Sequence, residues 1–329
     1  MPRPTRLFAA EPSPPRRLAG PCALAFLLLL STPLLAAEIE RELDVGPGGR
    51  LIVEAEGTSI EVVGGGSSGA RLLLERPRGG APIEDDYEVS IEQRGNDVVV
   101  DIEKRRKLAL RWRDRGLKLT ALVPSEYGVE ASSSGGSISV ESLAGDVDVR
   151  TSGGSLSIAD LDGSVIGRTS GGSIRVGAIT GDADVSTSGG SISVGTADGR
   201  VRASTSGGSI TIESGSEVMA RTSGGSIEVR EVRGAIDAST SGGTVRAYLS
   251  EQPAADCHLS SSGGSVEVFL AEDLALDLDA HSSGGWVSSE LPVSVSGSLS
   301  RDRLRGNFNG GGPELRLRSS GGGVRIRSR

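Results

Sequence analysis

Two histidines, one cysteine beyond the first thirty residues and a set of recurring aspartates are the side chains on which chemistry would have to rest in this 329-residue chain. His258 has Asp256 and the serines 260–262 close by, and His281 has Asp279, Ser282 and Ser283. A nucleophilic relay needs a serine, an imidazole and a carboxylate within hydrogen-bond reach of one another. The histidines lie 23 residues apart, so in a regular repeat they would fall in neighbouring units and stack. Serine is abundant everywhere, however, and nearness to it discriminates little. Zinc would need further ligands, for which Cys257 with Asp256 or Asp279 are the available donors. Both histidines are therefore read as strand-edge surface residues, Cys257 as a buried small apolar group, and no catalytic residue, metal or cofactor is assigned.

Three further patterns invite a functional reading. Asp146, Asp148, Asp160, Asp162, Asp182 and Asp184 recur near one bend of a repeat, but the Gly-Gly-x-Gly-x-Asp pattern of calcium-binding rolls is missing, so they are expected to serve turn hydrogen bonds. Lys104, Arg105, Arg106, Lys107, Arg111, Arg113 and Arg115 form a basic run that alternates with Leu108, Leu110 and Trp112. Lys104, Arg105, Arg106, Arg111 and Arg113 are the candidate binding residues for an acidic glycan or lipid headgroup; the competing reading is a charged edge strand that blocks sheet-to-sheet association. Finally, Ser137/Ser139, Ser155/Ser157, Ser191/Ser193 and Ser209/Thr211 predict an outward row of hydroxyls, interrupted by Arg175, Glu228, Arg246 and Glu267.

The elements that must carry these residues are unusual in composition. Glycine fills 49 positions and aromatics only 3% of the chain, which excludes a core built on large rings. Arg3, Arg6, Arg16 and Arg17 precede the apolar run 22–35, and Ala36 and Ala37 follow it, the order of a secretory signal peptide ending near residue 37. Without residues 1–37 the chain carries 31 basic and 42 acidic side chains, a balance that repels nucleic acid and anionic lipid on average. Cys257 is then the lone cysteine, so no internal disulfide can form.

Ser-Gly-Gly begins at residues 134, 152, 170, 188, 206, 223, 241, 262, 283 and 320, mostly at intervals of 18. A fixed period of this length makes each repeat one structural unit that buries its apolar side against its neighbours. Two alternating strands are visible per unit. The first carries pairs such as Ile138/Val140 and Ile192/Val194, the second pairs such as Val147/Val149 and Val201/Ala203 followed by a threonine. We expect an all-β, single-stranded parallel β-helix of about ten 18-residue rungs, right-handed, with rung n stacked on rung n+1. The glycine pair is expected at a corner, for positive φ and close backbone stacking. A meander of antiparallel hairpins is the alternative topology. It accounts less well for the constant length from the second strand into Thr-Ser-Gly-Gly. The expected division is a signal peptide over 1–37, an N-terminal β region over 38–130 and the Ser-Gly-Gly solenoid over 131–329. The N-terminal region is expected to cap the stack with degenerate rungs and a hairpin turning at Gly95-Asn96.

The N-terminal signal, the Gly57-Thr58-Ser59-Ile60-Glu61-Val62 opening, the stretch Leu119-Thr120-Ala121-Leu122-Val123-Pro124, the Ser-Gly-Gly-Ser-Ile rungs and the closing Gly306-Asn307-Phe308-Asn309-Gly310-Gly311-Gly312 together resemble the DUF4097 family of adhesin-like proteins. That resemblance implies a bacterial β-helix-like repeat protein of the cell envelope, in the periplasm or on the outer surface. It brings no catalytic residue with it. The leading expectation is a non-enzymatic adhesin or scaffold that offers a repetitive polar surface to a glycan or an envelope protein, with no nucleic-acid partner and no membrane span once the signal is removed. The alternatives are a carbohydrate-active β-helix enzyme with its site between Cys257 and Trp286, and an envelope signalling or stress partner recognised through the basic run.

Overall fold

Alternation of β-branched and polar residues drives each 18-residue unit into two short strands whose apolar sides face inward. The computed structural model describes residues 38–66, 68–77, 82–105, 116–295 and 300–329. Within them the strands form one 14-stranded and one 15-stranded sheet, and the helical content is the single turn Ile83–Asp86. The leader 1–37 and residues 106–115, most of the basic run, lie outside the described residues.

From Gly128 to Leu270 the stack is parallel and in register, which excludes the antiparallel meander. Ile138 stands beside Leu156, Leu156 beside Ile174 and Ile174 beside Ile192 in the first sheet. In the second, Val147, Val165, Ala183 and Val201 stack likewise. A short third side brings Leu143, Leu161, Ile179 and Ala197 inward. All these side chains are nearly fully buried, so the interior of these rungs is a set of like-on-like aliphatic columns, while the buried rings Tyr87, Tyr127 and Phe308 lie outside the strands from 128 to 270.

The Thr-Ser-Gly-Gly corner works through contacts that alternation alone does not reveal. Thr151, Thr169, Thr187, Thr205, Thr222 and Thr240 are buried, with Ser133, Ser261, Ser282 and Ser319 in the equivalent place. Each threonine hydroxyl donates to the second glycine carbonyl of the preceding rung, as from Thr205 Oγ1 to Gly190 O at 2.8 Å. It also accepts from the N–H of its own second glycine, as from Gly208 at 3.3 Å. The second glycine is required by approach rather than by φ: a Cβ on Gly154 would lie 2.1 Å from Gly136 O, and one on Gly172 2.0 Å from Gly154 O. The expected positive φ is absent at these corners; among the described residues the positive-φ glycines are Gly48, Gly57, Gly69, Gly95, Gly310 and Gly311.

Sequential stacking fails at both ends. The first rung, Arg50–Ala55 with Ser59–Gly66, does not terminate the stack: the later strands Asp97–Lys104 and Lys118–Pro124 pair on its outer side. That outer rung is closed by antiparallel Tyr87–Arg94 in one sheet and by Ala70–Glu75 and Glu38–Leu43 in the other. At the opposite end the last strands, Glu314–Ser319 and Val324–Ser328, insert between the rung of Cys257–Ser261 and Val266–Leu270 and that of Leu276–Ser282 and Val287–Ser289. Antiparallel Arg303–Phe308 then covers Leu276–Ser282. Including these inserted rungs, the second sheet stacks twelve parallel strands among the described residues, on the order of 50 Å at about 4.8 Å each.

Candidate functional site

Outward positions on the two sheets are also stacked in columns, and they hold the polar residues singled out from sequence. On the first sheet one column runs Glu61, Ser139, Ser157, Arg175, Ser193, Thr211, Glu228, Arg246, Glu267, Arg325. Hydroxyls therefore dominate its first half and alternating charges its second. The hydroxyls of Ser137, Ser155, Ser173, Ser191, Ser209 and Ser226 accept the backbone N–H of the residue one rung on, at 3.1–3.3 Å.

Asp146, Asp162 and Asp182 do a related job beside the opposite bend, whereas Asp148 and Asp184, expected there too, stand within the strands Val147–Thr151 and Ala183–Thr187 and face Arg150 and Arg168. Asp146 accepts from the Ser164 N–H at 3.0 Å and Asp182 from the Arg200 N–H at 2.8 Å, each one rung on. That backbone bond, helped by the Arg200 guanidinium, holds the Asp182 carboxyl below its ordinary range. Asp162 accepts the Thr180 hydroxyl at 2.7 Å. These carboxylates are committed to turns, and no group of three or more metal-ligating side chains converges among the described residues.

The two histidines do not meet. The strand of Arg316 and Arg318 separates their rungs, placing His258 beside Arg316 and His281 beside Arg318. Asp279 faces Arg316, and its carboxylate is bound by Arg318 at 2.6 Å and Arg305 at 3.2 Å, not by an imidazole. Asp256 accepts the Glu314 N–H at 2.8 Å. Ser283 Oγ and His281 Nε2 lie 3.4 Å apart, but no carboxylate completes a relay, because the other ring nitrogen of His281 faces the Asp302 carbonyl. Cys257 occupies an inward column position beside Leu315, where burial pushes its thiol pKa up and keeps it protonated.

Of the basic run, Lys104 and Arg105 are described; Arg106, Arg111 and Arg113 lie outside the described residues. Lys104 ends the strand Asp97–Lys104, its N–H bound by Glu56 Oε2 at 3.1 Å, and the Arg105 N–H is bound by Asp86 O at 2.8 Å. Both residues are exposed where the chain leaves the outermost rung.

Beside them lies a feature the sequence does not announce, a shallow groove of about 610 Å³ across several rungs of the second sheet. Glu54, Glu56, Asp101 and Glu103 line one end, and Arg150 and Arg168 the other. Glu54 stands directly beside Asp101, a like-charge neighbour pair that costs folding energy, although the residues are 47 apart in sequence. Arg150 is held by Asp148 at 2.7 Å and Arg168 lies 3.9 Å from Asp184. Serine hydroxyls at 132, 134, 152, 170 and 186 fill the floor between. Its chemistry is that of a polar binding strip: carboxylate acceptors, hydroxyl donors and guanidinium forks in one line.

A family model described as Toastrack DUF4097 matches residues 84–327, three quarters of the sequence and most of the stack. The chain belongs to the Toastrack DUF4097 family. Similar solved structures include a candidate cell adhesion protein from Clostridium sporogenes, 11% identical, with 89% of this chain and 100% of that one covered at a TM-score of 0.20. A candidate adhesin from Bacteroides fragilis is 13% identical, covering 89% and 97% at a TM-score of 0.32. A candidate lipid binding protein from Parabacteroides distasonis is 10% identical, covering 89% and 96% at 0.33. None of these assigns a role to a residue of this Toastrack chain, and no curated protein matches it. No helix among the described residues is long and apolar enough to cross a membrane.

Proposed function

We propose that this Toastrack protein is an exported, non-enzymatic component of a bacterial envelope, an adhesin or scaffold that binds glycan or protein through repeated polar faces. The observation that carries this reading is the register of the outward columns. Hydroxyl, carboxylate and guanidinium groups follow one another at about 4.8 Å along the outward column of the first sheet, so a linear partner meets a hydrogen-bonding side chain at each rung. The groove bounded by Glu54, Asp101, Arg150 and Arg168 is where such a partner gains most contact. Export follows from the charged-then-apolar leader, with the periplasm or cell surface as its destination.

Two measurements test the reading. The N-terminal mass of the protein recovered from the envelope fraction is expected to correspond to a start near Glu38; a chain found in the cytosol with residues 1–37 intact would refute export. On a glycan and envelope-protein array, binding is expected to fall severalfold when Glu54, Asp101, Arg150 and Arg168 are changed together, and less than twofold for each alone. Complete loss from one of these single changes would contradict a distributed surface.

The neighbouring carboxylates Glu54 and Asp101 favour one competing reading, glycan hydrolysis by a carboxylate pair. It predicts new reducing ends from a polysaccharide panel, lost in Glu54→Gln. The open, shallow groove, which leaves a sugar largely solvated, argues against it.

A further inference from the structure

The post-glycine position of the corner is serine or threonine in rung after rung, but in the terminal rung it is Trp286, one of only two tryptophans in the chain. Its strand, Val287–Ser289, is the last of the first sheet, so no rung stacks beyond it. Trp286 is 51% exposed, the largest apolar side chain left open to solvent among the described residues. With Val287, Ser300 and Arg301 it borders a recess of about 480 Å³. The recess is tied to the stack through its backbone: the Val287 N–H donates to Arg301 O at 3.0 Å and the Val324 N–H to Trp286 O at 3.0 Å.

Charge gives a second, independent indication. Residues 301–329 carry eight arginines against Asp302 and Glu314, in a chain of net charge −8. Most arginines of this segment are matched: Arg305 and Arg318 with Asp279, Arg316 with Glu314, Arg325 with Glu267, Arg329 with Glu231. Arg301 is exposed and none of the ion pairs or side-chain hydrogen bonds of the described residues includes its guanidinium. Arg303, two residues on, comes no closer to a carboxylate than 4.0 Å, to Asp279. Asp302 between them accepts from the Ser300 hydroxyl at 2.8 Å. His281 sits opposite Arg303 on the adjoining strand. An open indole that shares a recess with an unpaired guanidinium, that of Arg301, has a specific chemical complement. The apolar C–H face of a pyranose stacks on a ring, and a carboxylate on the same sugar takes a guanidinium fork.

We propose that the Trp286–Arg301 corner is a tip site for an anionic saccharide unit, a sugar carrying a carboxylate. This deepens the binding reading above and rests on it, but it moves the strongest contact from the repeated faces to the end of the stack. The site takes one sugar residue end-on, while the hydroxyl columns hold the remainder of a longer chain weakly.

The test uses the exported chain with Trp112→Phe, so that Trp286 is the sole indole. Titration with an oligogalacturonate is expected to shift Trp286 emission to the blue with saturation, and the affinity is expected to fall as salt is raised. Trp286→Ala and Arg301→Ala, read by calorimetry, are expected to weaken binding at least tenfold; Arg94→Ala, on the antiparallel strand Tyr87–Arg94 that closes the N-terminal end, is expected to change it less than twofold. Because Trp286 and Arg301 are exposed, both variants are expected to keep the parental melting temperature. A neutral oligosaccharide of equal length that binds as well would overturn the anionic assignment. An acidic peptide of equal charge that competes equally would overturn the saccharide. Oligogalacturonate binding that persists in both tip variants would overturn the tip site while leaving the repetitive-surface reading standing. Failure of the parent chain to bind any array ligand would remove that broader reading instead.

Discussion

A single hydroxyl per rung does much of the work of holding one corner to the next. Thr205 satisfies both the Gly190 carbonyl and the Gly208 N–H, and valine has the same shape without either bond. Thr205→Val is therefore expected to lose about 1–3 kcal/mol, the cost of buried backbone groups left unpaired, as read by urea midpoint. Thr205→Ser is expected to lose less, since serine already fills this column at Ser133, Ser261, Ser282 and Ser319. The two glycines of a corner are predicted to behave differently. Gly154→Ala places its Cβ on the Gly136 carbonyl and is expected to cost on the order of 3 kcal/mol, whereas the nearest atom to a Cβ on Gly153 is 3.5 Å away and Gly153→Ala is expected to stay within about 1 kcal/mol. Equal melting temperatures for the two alanine variants would contradict close approach as the reason for the pair.

At the scale of the element, the charged columns near the C-terminal end join rungs that are distant in sequence. Glu267 lies between Arg246 at 2.8 Å and Arg325 at 2.9 Å, with a side chain 11% exposed. Burial pushes its carboxyl pKa up, but the two guanidiniums outweigh burial and hold it below the ordinary value. The same balance applies to Asp279 with Arg318 and Arg305. A carboxylate whose pKa is lower folded than unfolded adds stability above the unfolded value, near pH 4, and loses it as pH falls through the folded one. The stability of the parent chain is thus expected to decline below about pH 4 more steeply than that of the Glu267→Gln, Asp279→Asn double variant, measured by urea unfolding at pH 7 and pH 3. Parallel pH profiles for the two proteins would refute it.

For the molecule as a whole, the decisive feature is that the first and last rungs lie inside the stack. Strands of residues 314–328 are paired on both sides, while the earlier segment 276–308 forms the outer cap. The cap cannot reach its final pairing until the chain end has inserted beneath it. Removing residues 313–329 is expected to leave amides from 128 to 270 protected in hydrogen exchange while those of 276–308 exchange at least tenfold faster. Retained protection in 276–308 would mean that the cap re-docks directly on Cys257–Ser261, the sequential arrangement the repeat spacing implies. The caps also blunt the sheet edges: Glu38, Glu40 and Glu42 stud one terminal strand, an arrangement that discourages end-to-end pairing of copies.

Local periodicity favoured stacked rungs, because a period of 18 with Ile/Val alternation lets parallel in-register stacking bury every aliphatic column at once, and the register of the strands then excluded the meander. The burial of Cys257 and the turn role of Asp146 and Asp182 were legible for the same reason, since each repeats a position whose environment its neighbours define. Long-range order was not legible. Nothing in spacing indicates that Arg50–Ala55 would lie against Asp97–Lys104, and so nothing brings Glu54 to Asp101 or opens the groove beside them. Nor could spacing separate His258 from His281, which depended on a strand from the chain end sliding between their rungs. Trp286 did leave a local sign, a ring where serine recurs, but its exposure follows from being last in the sheet. The physical division is plain: a repeat encodes which face is buried, whereas the order of like rungs is degenerate in local pattern and is decided by which ends can be capped once the whole chain is in place.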